Sequence, residues 1–205
     1  MPRTLPCLFL LLSLGCASEA GTDAGPPAVD AGAPDAGRPD AGPPPPLEVT
    51  TTAFDDGGAV PTRYQCGPPL VAAGAGENVT PAMSWTGGGD AVRSWAIVVR
   101  DRSAGDLVHW AIYDIPASVR ALDAGIAEGY EPTAPAGAKQ AEIQGSRYFG
   151  YFGPCSGGRG NTYEFTLHAL DVEALPGVDR STPETEVAAQ VEATSIESTS
   201  FTGIW

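Results

Sequence analysis

A break in composition at residue 47 limits what this chain can fold into. Residues 17–46 contain almost nothing but Ala, Gly, Pro, Asp, Ser and Thr, repeat Asp-Ala-Gly at Asp23, Asp30, Asp35 and Asp40, and close on Pro43-Pro44-Pro45-Pro46. Such a tract cannot bury enough apolar surface to offset its ordering entropy. Its repeats are too small for solenoid units. Its prolines and like charges favour an extended tether of up to ~3 Å per residue. Any fold must therefore be built from residues 47–205, a suitable length for one domain.

Ahead of the tether stands an address-like segment. Arg3 supplies a positive start, residues 5–14 form an apolar run broken by Pro6, Cys7 and Ser13, and Gly15-Cys16 follows. The segment resembles a bacterial secretory signal ending in a lipobox, at residues 1–16, with Cys16 as the lipidated residue. Ser13 stands where that pattern prefers Leu, and ordinary signal cleavage is the competing reading. Ala17 after the Cys points to the outer membrane. The expectation is an exported lipoprotein of the cell envelope that meets the membrane through its anchor alone. No apolar run reaches the ~18–20 residues that span a bilayer.

Charge excludes other classes. The chain carries 25 acids against 11 bases, a formal −14. Five of those acids and two of those bases precede residue 47, which leaves the domain 20 and 9, a formal −11. That surface is unsuited to displacing counterions from nucleic acid or binding an anionic membrane.

The domain reads mainly as strands. Residues 47–54 alternate and end at Asp55-Asp56-Gly57-Gly58; 83–85 form a short strand; 94–99 and 109–113 are nearly continuous apolar runs, as in a central strand. Residues 163–170 alternate, with Glu164, Thr166 and His168 on one face. Thr182-Pro183 reads as an N-cap followed by a first-turn proline. Val187, Val191 and Thr194 then repeat at helical spacing, with Ala188 and Ile196 beside them. A second short helix is expected over 117–124. Strands first and helices late give a mainly β class with peripheral helices. Loops 64–82 and 126–162 hold most Gly and Pro, and a site is expected there.

Four stretches together resemble the phosphatidylethanolamine-binding protein family, especially its bacterial, Raf-kinase-inhibitor-like branch. They are Ala53-Phe54 with Gly57-Gly58 and Pro61-Thr-Arg63-Tyr64-Gln-Cys66; Asn78-Val-Thr80-Pro81-Ala-Met-Ser-Trp85; Val99-Arg-Asp101-Arg-Ser103 with His109-Trp110 and Ile115-Pro116; and Gly150-Tyr151-Phe-Gly153-Pro154-Cys155 with Tyr163-Glu-Phe165-Thr-Leu and Ala169-Leu-Asp171. Phe201-Thr202-Gly203 resembles the family's closing segment. The resemblance spans 47–205 and implies a two-sheet β fold with C-terminal helical elements. It also implies a small anion-accepting pocket, no cofactor and no catalytic cycle.

Carried over by position, the pocket would comprise Asp101, Ser103, His109, Gly153, Pro154, Asn161 and Tyr163. It is only partly kept. Arg102-Ser103 replaces the family's Pro-Asp, Ser156-Gly157 replaces two prolines, and Asn161-Thr162 replaces His-Arg. Asn161 can donate a hydrogen bond but cannot titrate, so pH dependence would rest on His109. Arg102 and Arg159 are candidate new anion contacts. The alternatives are a small anionic or phosphorylated ligand, a pocket that takes no small ligand, and a protein partner or exported protease met by the loops. A monomer is expected.

Sharper chemistry finds little support. The two histidines and the Cys and Asp spacings form no zinc signature, and His168 reads as a packed strand residue. No G-x-S-x-G nucleophile elbow exists, and the Gly-rich segments lack a following helix. An enzyme is not expected. Asn78-Val-Thr80 is a glycosylation sequon by spelling only. If Cys7 leaves with the signal and Cys16 carries lipid, Cys66 and Cys155 remain; the family fold puts both near the pocket end, as a disulfide or as two free thiols.

Overall fold

The computed structural model describes residues 45–71 and 76–205. The leader at 1–16, with Cys7 and the lipidation site Cys16, and all but the last two residues of the tether lie outside the described residues. In chain order the strands are β1 (Glu48–Thr51), β2 (Gly58–Ala59), β3 (Met83–Thr86), β4 (Ser94–Asp101), β5 (Leu107–Pro116), β6 (Ala121–Leu122), β7 (Lys139–Gln140) and β8 (Thr162–Leu170). Helix α1 (Glu184–Thr194) and strand β9 (Ser195–Ile204) follow.

The strands form two sheets. The larger runs β2-β9-β8-β4-β5-β7, antiparallel except for the β2–β9 pair, and the smaller runs β1-β3-β6. Central strand β4 shows why its sequence lacks alternation. Trp95, Ile97 and Val99 face the small sheet and join a core with Trp85, Trp110 and Phe165. Ala96 and Val98 face the other way and pack with Val187, Ala188 and Val191 of α1. Both faces are buried, so both must be apolar.

The mainly β class is present, and the family-like C-terminal helix is α1. Three local expectations are corrected. Residues 117–124 are not a helix: Leu122 and Ala121 pair with Met83 and Ser84 as strand β6. Thr182 is not the N-cap of α1, because its Oγ1 accepts from the Asp179 amide while Pro183 occupies the cap. Ile196 does not extend the helical stripe but lies in β9 and is exposed.

The positioning of the site comes from a kink in β5. Val99 pairs with Trp110, but Arg100 pairs with Val108, so His109 is one residue too many for β4. A bulge of this kind breaks alternation and re-aims a side chain. It turns His109 toward Tyr163 on the small-sheet face.

Candidate functional site

Asp101 ends β4, His109 sits in the β5 bulge, and Tyr163 begins β8, opposite Asp101 in the ladder. All three are buried. The Asp101 carboxyl is held on both oxygens. Oδ1 accepts the Ser103 amide at 2.9 Å and Oδ2 accepts Asn161 Nδ2 at 2.8 Å. Ser103 Oγ in turn accepts the Thr162 amide at 3.0 Å. Ser103 and Asn161 thus serve as struts for Asp101.

His109 is sandwiched. Its ring stacks on Phe152 with centroids 4.9 Å apart and meets the edge of Tyr163 at 5.1 Å. Its Nδ1 lies 3.0 Å from the Phe152 carbonyl oxygen. A carbonyl can only accept, so the hydrogen-bond pattern assigns the proton to Nδ1 and leaves Nε2 of the neutral ring with a lone pair. Burial pushes the His109 pKa below its ordinary value, against the upward pull of the Phe152 carbonyl, of nearby Asp101 and of the Gly153 backbone. The ring is therefore neutral near pH 7. Burial also raises the Tyr163 hydroxyl, with Asp101 beside it adding to the effect and the Cys155 amide opposing it.

The loop carrying Gly153 and Pro154 is held by long-range bonds. Cys66 and Cys155 form a disulfide across 89 residues of chain. The Cys66 amide donates to the Pro154 carbonyl at 2.9 Å, and the Cys155 amide to Tyr163 Oη at 3.0 Å. Asn78 brackets the same loop. Its Nδ2 donates to the Tyr151 carbonyl at 2.7 Å and its Oδ1 accepts the Gly153 amide at 2.9 Å. Gly153 permits this closeness, because a Cβ there would stand 2.9 Å from the Cys66 nitrogen and nearer still to the Tyr64 carbonyl oxygen. Asn78 itself takes φ 55°, a left-handed conformation that asparagine tolerates.

All seven residues named by the resemblance come together at this end of the large sheet. The two arginines do not converge as expected. Arg102 is paired with Glu164 and Asp106, whereas Arg159 is exposed on the loop 157–160 with no ion pair among the described residues. Phe152, Ser156 and Asn78 are further parts of the site. Ser156 Oγ donates to the Trp205 carbonyl, and Asn161 and Trp205 exchange amide bonds at 2.8 and 3.0 Å, tying the chain end to the site. Glycine-rich loops and polar pairing residues signalled a site, but only distance in space gives these three their roles.

Candidate nucleophiles near His109 are engaged: Ser103 with Thr162, Ser156 with Trp205, Cys155 in the disulfide. His168 lies away from the site, on the helix-facing side of β8, with its Nδ1 3.1 Å from Ser195 Oγ. Among the described residues, no group of three His, Cys, Asp or Glu side chains could hold a metal ion. Among them also, no helix is long and apolar enough to cross a membrane.

A two-sheet β domain with a neutral His, an Asp and a Tyr buried at one sheet end defines a class of small binding domain. The sequence profile described as phosphatidylethanolamine-binding protein matches residues 50–205, and the chain belongs to that family. The UPF0098 protein of Methanothermobacter thermautotrophicus is 32% identical over 138 residues, 65% of this chain and 84% of the relative. The UPF0098 protein YbcL of Escherichia coli is 31% identical over 140 residues, 63% of this chain and 73% of the relative. The crystal structure of Escherichia coli YbcL, described as a new member of the mammalian family, superposes with a TM-score of 0.65 at 27% identity, covering 78% of this chain and 97% of that one. A Chlamydia trachomatis protein described as a putative family homologue shares the fold, with a TM-score of 0.60 at 22% identity over 78% of this chain and 97% of that one.

Proposed function

We propose that this domain is a non-catalytic binding module, exported and lipid-anchored through Cys16, whose site takes a small oxyanion or phosphorylated ligand. One observation carries the reading: Nδ1 of His109 is committed to the Phe152 carbonyl, the Gly153 backbone lies beside the ring, and Nε2 makes no side-chain hydrogen bond among the described residues. The neutral ring can accept a hydrogen bond from a ligand. It can donate to an anion only after Nε2 gains a proton. Anion binding is therefore linked to proton uptake and strengthens as pH falls toward the ordinary histidine range.

Several features support the rest of the reading. The engaged hydroxyls and bridged cysteine leave no evident nucleophile beside His109, which favours binding over turnover. A disulfide suits an oxidising compartment, in keeping with the secretory leader. A spacer of the composition of residues 17–46 would hold the domain off the membrane surface.

The exposed loop 157–160 favours a second reading, a protein partner. It is anchored at one end by the disulfide at Cys155 and at the other by Asn161. A loop fixed at both ends binds with less ordering cost.

Thermal unfolding separates the two. Phosphate and phosphoethanolamine should raise the midpoint of the wild type more at pH 6 than at pH 8, and leave His109→Ala unmoved. A ligand at ~100 times its Kd adds ~2.7 kcal/mol. No shift with either compound at either pH would reject the small-ligand reading. Binding of an envelope protein that survives His109→Ala but is lost on Arg159→Ala would establish the second.

A further inference from the structure

A second cleft lies between the loop after β7 and the approach to α1. Its cavity is about 580 Å3, lined by Glu142, Arg147, Phe149, Asp179, Arg180 and Ser181. Its charges are unevenly committed. Asp179 Oδ1 accepts the Ser181 amide at 2.8 Å and the Ser181 hydroxyl at 2.7 Å. These bonds pull the Asp179 carboxyl below its ordinary pKa. Glu142 Oε1 accepts the Arg147 amide at 2.7 Å. Each acid thus has one oxygen held by local donors, and both remain charged beside the two arginines.

The two guanidinium groups are not held in this way. Neither Arg147 nor Arg180 has an ion pair among the described residues, in a domain where acids outnumber bases about two to one. Arg180 is placed by aromatic faces rather than by acids. Its guanidinium lies 4.9 Å from the Phe149 ring centroid and 5.7 Å from that of Tyr130. Those rings meet edge to face at 5.8 Å, a geometry that fixes the platform under the arginine. A guanidinium held by ring faces rather than by acids leaves N–H donors for a two-oxygen acceptor.

We propose that this cleft is an oxyanion site, distinct from the one at His109, which takes a carboxylate or phosphate group carried on a small apolar body. Arg180 presents the paired donors, Arg147 in the same lining adds a second charge, and Phe149 supplies the apolar wall. A carboxylate and a phosphate monoester share this chemistry.

Calorimetric titration of the purified protein at pH 7 with benzoate and with phenyl phosphate tests it. At least one should bind, and Arg180→Gln and Arg147→Gln should each weaken that binding by about tenfold, the worth of one lost charge-assisted bond. His109→Ala removes any share of the probe taken by the first site, and the binding that remains in that variant should still fall on each arginine change. Binding of benzoate alone identifies a carboxylate ligand, and of phenyl phosphate alone a phosphate ester. Both side chains are exposed, so both variants should fold, as far-ultraviolet circular dichroism would verify. Absence of binding by either probe overturns the proposal. So does binding in the His109→Ala protein that survives both arginine changes, or binding lost entirely in His109→Ala, which would assign the ligand to the first site.

Discussion

The two histidines are buried on opposite faces of the large sheet, by different means. His109 stands at the sheet end in a bulge, between Phe152 and Tyr163, under a loop held by Asn78 and the disulfide. His168 stands mid-strand, paired in register with Ala96 and Ser198 and facing the helix side. Ser195 Oγ donates onward to the Glu197 carbonyl, so it receives the proton of His168 Nδ1. Both lose basicity chiefly through burial. The difference lies in what buries them. Neighbouring strands, paired in regular register, and the end of α1 enclose His168. His109 depends on segments far apart in sequence meeting at one point. The second arrangement also needs loops fixed against the sheet end, and sites concentrate on loops placed by a rigid scaffold.

Breaking the long-range brace should have the largest effect. Replacing Cys66 and Cys155 together by Ser frees a loop of 89 residues. The chain-entropy model puts the loss at about 4–5 kcal/mol. Urea unfolding should show it, and an unchanged midpoint would mean the Asn78 bracket alone closes the site. The matching change on the helix face is Leu170→Ala. Leu170 is fully buried against α1. Its truncation should cost about 3 kcal/mol, while the His109 site retains its ligand response.

Acid should act on both faces. Burial lowers the His168 pKa from 6.5 to about 4, opposed by Glu192 and Glu164 and assisted by Arg100. Burial lowers His109 as well. The unfolded chain therefore binds these protons first. The stabilisation is fully present above the ordinary histidine pKa and is lost as pH falls toward the lowered folded values. For His168 the loss approaches ~3 kcal/mol at most. His168→Gln should flatten the decline of stability between pH 6.5 and 4, and His109→Gln should flatten it further. Parallel pH curves for wild type and both variants would mean carboxyl groups, not these rings, govern acid unfolding.

The sequence carried the central strands plainly and the outer ones poorly. In β4, both buried faces force a continuous apolar run. In β9, Ile196, Ser198, Ser200 and Ile204 are exposed and only Phe201 and Gly203 are buried, so the strand has almost no periodic signal. Strand β6 pairs over two residues inside an Ala-containing stretch, too short for periodicity to compete with helix propensity. At the site, Asp101, His109, Asn161 and Tyr163 were legible through the family resemblance. The bulge was not, because it exists only as a mismatch of register between β4 and β5. Nor was the bracket at Asn78, whose partners Tyr151 and Gly153 lie more than 70 residues away.

That bracket gives the smallest expected loss and the sharpest separation of the two regions. Asn78→Gly, which adopts the left-handed φ of 55° without strain, removes a donor to the Tyr151 carbonyl and an acceptor for the Gly153 amide, both partly buried. Leaving such groups unpaired costs about 1–3 kcal/mol, and entry of water into the opened loop would place the result near the lower figure. The disulfide still joins the segments, so the domain stays folded. The amides of residues 150–156 should then exchange with solvent faster, and His109, with its Phe152 carbonyl loosened, should titrate closer to its ordinary value. His168, enclosed by strands the change does not touch, should titrate as before. If the two rings moved together, the sheet would transmit strain from one face to the other and would not be the rigid wall between them that its packed core implies.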